Sequence, residues 1–183
     1  MYNQIHRTFS LAIFAASFAS MGHSSNYTAI GVYGDWSVMS SANPKECWAV
    51  TGANIEKAKH YRKGVQVDDV NRGEGTQLYA TFTQSAEQTG SWLAFTGGDY
   101  QFDNNTPVSL SIDGQEFKLF IANDKERGWA YTSGTIDEAI IKLFKAGDVA
   151  NLTSVSARGT TSVDEISLMG FTAAYEAAKK ACK

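Results

Sequence analysis

The side chains able to do chemistry in this sequence are few and scattered. A hydrolase triad needs a histidine held between a nucleophile and a carboxylate. Of the three histidines, His6 and His23 sit in the first stretch of the chain. His60 remains, flanked by Lys59, Tyr61 and Arg62, a solvated, electropositive setting that argues against catalysis. Zinc would require a His-Glu-x-x-His run or a cysteine cluster, and the sequence has neither. Asp99, Asp103, Asn104 and Asn105 crowd oxygen donors as a calcium loop does, yet the glycine and closing glutamate of an EF-hand are missing. Such residues also suit a plain turn, because they hydrogen-bond their own backbone. Asp68-Asp69 and Asp164-Glu165 are adjacent carboxylates. Neighbours on a strand point to opposite faces, so neither pair is preset to share a proton, and both read as solvated charges. Gly97-Gly98 and Arg72-Gly73-Glu74-Gly75 precede no lysine-bearing helix and are not phosphate cradles. No catalytic, metal or cofactor-binding residue is expected, and the protein reads as a non-enzyme.

Two features remain that could bind something. Lys57, Lys59, His60, Arg62 and Lys63 form a short basic patch suited to an acidic protein, lipopolysaccharide or an anionic membrane surface. The plainer reading is a solvated loop. Four tryptophans, Trp36, Trp48, Trp92 and Trp129, could line a pocket; on alternating strands they read first as core, with Trp48 packing near a disulfide at Cys47. The net charge of −3 and the lack of a basic stripe exclude nucleic acid as a partner.

The N-terminus bears on how the two cysteines are read. Arg7 and His6 precede an apolar run from Phe9 to Ala19, with small residues at Ser17 and Ala19, the pattern of a cleavable signal peptide. That run is too short for the about 20 residues that cross a bilayer. Residues 1–22 are therefore expected to be leader and flexible lead-in, and 30–183 one folded domain, periplasmic or secreted and without an integral membrane segment. In an oxidising compartment two cysteines permit one bridge, Cys47–Cys182.

The elements expected to position these residues are mostly strands. Apolar residues at 43% and charged ones at 19% are ordinary for a globular chain. Gly31–Met39 alternates, with Trp36 and Val38 on one face, and the SSANP turn leads into a second strand over 46–51. Leu78, Ala80 and Phe82 point inward. Asp113-Gly114 between two alternating runs is a type I′ hairpin. Thr135-Ile136-Asp137-Glu138 is a capping box opening a helix over 135–146, ended by Gly147. Further strands follow around Arg158-Gly159-Thr160-Thr161. A last helix over 170–181 carries Phe171, Ala174, Tyr175 and Ala178 on one stripe. About eight strands and two helices make a mainly β, antiparallel sandwich.

Several segments in order resemble one family. Gly34-Asp35-Trp36-Ser37-Val38, Pro44-Lys45-Glu46-Cys47-Trp48-Ala49, Phe95-Thr96-Gly97-Gly98, Arg158-Gly159-Thr160-Thr161 and Ile166–Ala174 are similar to those of the bacterial invasion-associated locus B family. The resemblance implies an exported protein of a Gram-negative bacterium with an immunoglobulin-like β-sandwich. It implies action through a protein or cell-envelope partner, with host-cell entry in pathogenic relatives, and it carries over no catalytic residue. A structural role in envelope integrity is the alternative expectation.

Overall fold

The computed structural model describes residues 27–42, 45–68, 70–71, 75–84, 89–97, 100–121, 128–132 and 134–183. The expected signal peptide, Pro44, Asp69, Arg72-Gly73-Glu74 and Gly98-Asp99 lie outside them.

Among the described residues the chain forms twelve strands and two α-helices rather than about eight strands. In chain order the strands are β1 (Tyr27–Tyr33), β2 (Trp36–Ala42), β3 (Lys45–Gly52), β4 (Lys59–Arg62), β5 (Val65–Val67) and β6 (Gln77–Gln84). They continue as β7 (Thr89–Thr96), β8 (Val108–Ile112), β9 (Gln115–Ile121), β10 (Trp129–Tyr131), β11 (Val149–Val155) and β12 (Thr160–Ser167). Helix α1 spans Gly134–Ala146 and α2 spans Phe171–Ala181. Pairing is antiparallel in the order β1-β2-β3-β6-β7-β10-β9-β8-β11-β12-β4-β5. The ladder folds over at β9 into two layers, since β9 pairs with β10 at one end and β8 along the rest.

The surplus over eight strands has local causes. Gly34 takes a φ of 58° and turns the chain, so the single run expected over 31–39 is instead β1 and β2. The indistinct region after Gly52 holds a 3₁₀ turn at Ile55–Lys57 and the β4–β5 hairpin. Lys63 and Gly64 close that hairpin with φ of 51° and 78°, and Asp113 and Gly114 close β8–β9 with 48° and 77°. Both are the paired positive φ values of a type I′ turn, which matches strand twist.

The core follows from alternation. Trp36 and Val38, Leu78 and Ala80, Leu93 and Phe95, and Val108, Leu110 and Ile112 are all buried. Helix α2 lies on the inner face of β2, β3 and β6, its Phe171 ring 4.9 Å from Trp36 and 5.1 Å from Phe144 of α1. Its expected stripe of Phe171, Ala174, Tyr175 and Ala178 is the buried one. In α1, Ile140 and Phe144 are buried, whereas Ala139 stays exposed. That helix begins at Gly134, one residue before the expected capping box.

Two ties hold the C-terminal segment to the front of the chain. Cys47 and Cys182 are disulfide-bonded with Cα atoms 5.6 Å apart, and both are buried. The β1–β2 turn docks on the loop before α2: Asp35 N donates to Met169 O at 3.1 Å, and Trp36 Nε1 donates to Ser167 O at 3.1 Å. Gly170 has a φ of 92°, and a Cβ there would overlap the carbonyl of Tyr33. The first and last family-like segments of the sequence thus touch each other.

Candidate functional site, a hydroxyl-lined cleft beside the β11–β12 turn

Strand β12 alternates between the core and the outside. Ile166 and Leu168 face inward, and the same parity turns Thr160, Ser162 and Asp164 inward too. Its interior face is therefore apolar at one end and polar at the other. Across the ladder Ser154 of β11 is equally buried. Buried hydroxyls need partners, because an unsatisfied one costs about 1–3 kcal/mol.

Those partners come from distant parts of the chain. His60 Nδ1 lies 3.0 Å from Ser162 Oγ, and Arg62 Nε donates to Thr160 Oγ1 at 3.2 Å. The Tyr100 hydroxyl lies 2.6 Å from Ser154 Oγ. Asp164, wholly buried, accepts from Thr76 Oγ1 at 2.7 Å. Gly97 lets the Tyr100 ring approach, since a Cβ there would sit 2.9 Å from it. The segment after Tyr100 runs beside the β11–β12 turn, with Ala157 N donating to Gln101 O at 2.8 Å and Phe102 bridging Ser156. Above these groups opens a cavity of about 580 Å³, with Arg62, Tyr100, Arg158, Thr160 and Ser162 in its lining.

The cleft changes how several residues are read. The basic patch is not one surface, because strand alternation divides it. His60 and Arg62 point to the cleft side, Lys59 is exposed, and Lys63 stands in the β4–β5 turn. Lys57 pairs with Glu165, which faces away from the cleft. His60 is half-buried and hydrogen-bonded rather than solvated. Asp164 is buried rather than a strand-end charge; only Glu165 of that pair reaches solvent. Asp103 serves its own turn, accepting from Asn105 N at 3.4 Å and from Thr106 Oγ1 at 2.8 Å. Tyr100, Ser154, Thr160, Ser162 and Arg158 join the site only in the structure. The parity set by Ile166 is the sequence signal for two of them, Thr160 and Ser162.

Chemically, the cleft offers hydroxyls and guanidinium donors around a concavity. Guanidinium groups match the planar, paired oxygens of carboxylate, phosphate and sulfate. The arrangement suits non-covalent capture of an anionic group.

A protein-family model, Invasion associated locus B (IalB) protein, matches the chain over residues 100–179. Over that segment the chain is similar to invasion-associated locus B proteins. The crystal structure of invasion associated protein b from Bartonella henselae has a similar fold, with a TM-score of 0.54 and 16% identity. The likeness covers 84% of this chain and 96% of that one. No curated protein matches the sequence. The matched segment supplies Tyr100, Ser154, Arg158, Thr160 and Ser162 of the site, whereas His60 and Arg62 precede it.

Proposed function

We propose that this is an exported, non-enzymatic binding domain of the cell envelope, periplasmic or secreted, which captures an anionic group of a protein or envelope partner in the cleft. The observation that carries the reading is the cleft itself, where Arg62 and Arg158 line a cavity of about 580 Å³ floored by Thr160 and Ser162. The match of residues 100–179 to the invasion-associated locus B model supports an envelope or invasion-associated role. The closed Cys47–Cys182 bridge supports folding in an oxidising compartment.

Binding is favoured over acyl transfer for a geometric reason. The Ser162–His60 contact resembles a nucleophile–base pair, but β12 lies between β11 and β4. The β12 amides around Ser162 are thus directed into the two ladders rather than toward an oxyanion in the cleft.

Crosslinking and affinity capture of the mature protein from its own cell envelope tests the proposal. The expected result is a discrete anionic partner, retained by the wild type and lost from an Arg62→Ala/Arg158→Ala variant that melts normally. Capture indifferent to both substitutions refutes the cleft as the contact site. A turnover abolished by Ser162→Ala refutes the non-enzymatic reading, and an envelope defect with no captured partner favours the structural role instead.

A further inference from the structure

The first layer carries a second concavity on its outer face, remote in chemistry from the polar cleft. Strand alternation that buries Cys47 turns Trp48 outward, so this tryptophan does not pack at the disulfide. The same logic exposes Trp129 and Tyr131 at the two outward positions of β10, half-buried on either side of buried Ala130. Tyr27 stands against Trp48 with ring centroids 5.3 Å apart and planes at 85°. Tyr79 meets Trp129 at 5.4 Å and 51°, and Trp129 lies 6.4 Å from Tyr131. These rings wall a groove of about 300 Å³ with the short side chains of Thr81 and Ala94 in it, and Glu46 contributes a carboxylate.

We propose that this groove binds a quaternary ammonium group of the choline type. Aromatic faces are electronegative and attract a cation held within about 6 Å of the ring centroid, most strongly when several rings surround it. Tyr27 and Trp48 stand edge to face and Tyr79 and Trp129 at 51°, so these rings present faces from different directions, while Tyr131 stacks nearly parallel to Trp129 at 21°. Charge complementarity selects the occupant: among the described residues lining the groove, one is a carboxylate and none is a cation. The volume accommodates a trimethylammonium group. An anionic ligand would meet the negative ring faces and Glu46. The site shares no lining residue with the cleft and stands independently of it.

Titration of the full chain with choline, followed by tryptophan fluorescence, is the test, with 3,3-dimethyl-1-butanol as the neutral isostere. Choline should bind saturably, with the isostere weaker by about tenfold. Trp129→Leu should abolish the response to choline, and the surface change Glu46→Gln should weaken binding by about five- to tenfold. Equal binding of the neutral isostere overturns the proposal, as does choline binding unchanged in Glu46→Gln and in a normally melting Trp129→Leu. Absence of any choline response in the wild type overturns it as well. Co-sedimentation with phosphatidylcholine but not phosphatidylglycerol vesicles would assign the group to a lipid headgroup; choline binding without co-sedimentation would assign it to a free ligand.

Discussion

Removing the Cys47–Cys182 bridge perturbs the fold over the longest span it has. The cysteines are 135 positions apart. The chain-entropy model makes a loop of that size worth about 5 kcal/mol through the unfolded state. Total stabilities of single domains lie at about 5–15 kcal/mol, so the loss takes a third or more of the whole. The folded state loses little by comparison, because both cysteines are small and already buried among α2 and β3 neighbours. A Cys47→Ala/Cys182→Ala variant should therefore remain folded but be less stable by about 3–5 kcal/mol, a drop that dithiothreitol should reproduce in the wild type. Urea unfolding followed by tryptophan fluorescence reads this directly, with Trp36 against Phe171 of α2 as the reporter. The slope should steepen as well, since an uncrosslinked unfolded chain exposes more surface. A loss below about 1 kcal/mol in both experiments would refute the reasoning, because the unfolded ensemble would then not feel the crosslink.

Four other substitutions test different parts of the structure. Gly170→Ala should cost at least about 3 kcal/mol in urea unfolding, because its φ of 92° and the Tyr33 carbonyl leave no room for a Cβ. Gly159→Ala, at φ 79° in open space, should cost only about 1 kcal/mol. Thr76→Val should destabilise by about 1–3 kcal/mol in the same assay by taking a hydrogen bond from the buried Asp164 carboxylate. The hydrogen bond from Lys145 holds the Glu176 carboxyl below its ordinary range against the opposing effect of desolvation, aided by the charges of Lys145, Lys179 and Lys183. A depressed carboxyl stabilises above its unfolded value and loses that contribution as pH falls through the folded one. Glu176→Gln should thus cost no more than about 0.5 kcal/mol near neutral pH, and the difference should vanish in acid. Thermal melts across pH would show it.

Local patterns made much of the fold legible. Asp113-Gly114 fixed a hairpin because its turn chemistry is contained in two residues. The α2 stripe of Phe171, Ala174, Tyr175 and Ala178 was readable because helical periodicity is short-range. The cysteine pair was readable because two thiols allow one bridge. The cleft was not, because its contacts join His60 to Ser162, Arg62 to Thr160 and Tyr100 to Ser154 across 102, 98 and 54 positions. Polar residues on an interior strand face also look, one at a time, like solvated ones. Trp48 shows the converse. Its residue type suggests core, although its position next to inward-facing Cys47 already sends it to the outer face.

Strand β9 carries a consequence for how the protein behaves in crowded company. Two separate stacked sheets would present four unpaired margins, each a template on which another chain can add a strand. Because β9 belongs to both layers, the ladder of described strands has two: β1 and β5. The β5 margin is three residues long, and β1 is interrupted by a register shift between Ala29 and Gly31. Short or kinked margins resist strand addition, so a fold of twelve strands keeps little of the aggregation hazard that so much β structure would otherwise bring.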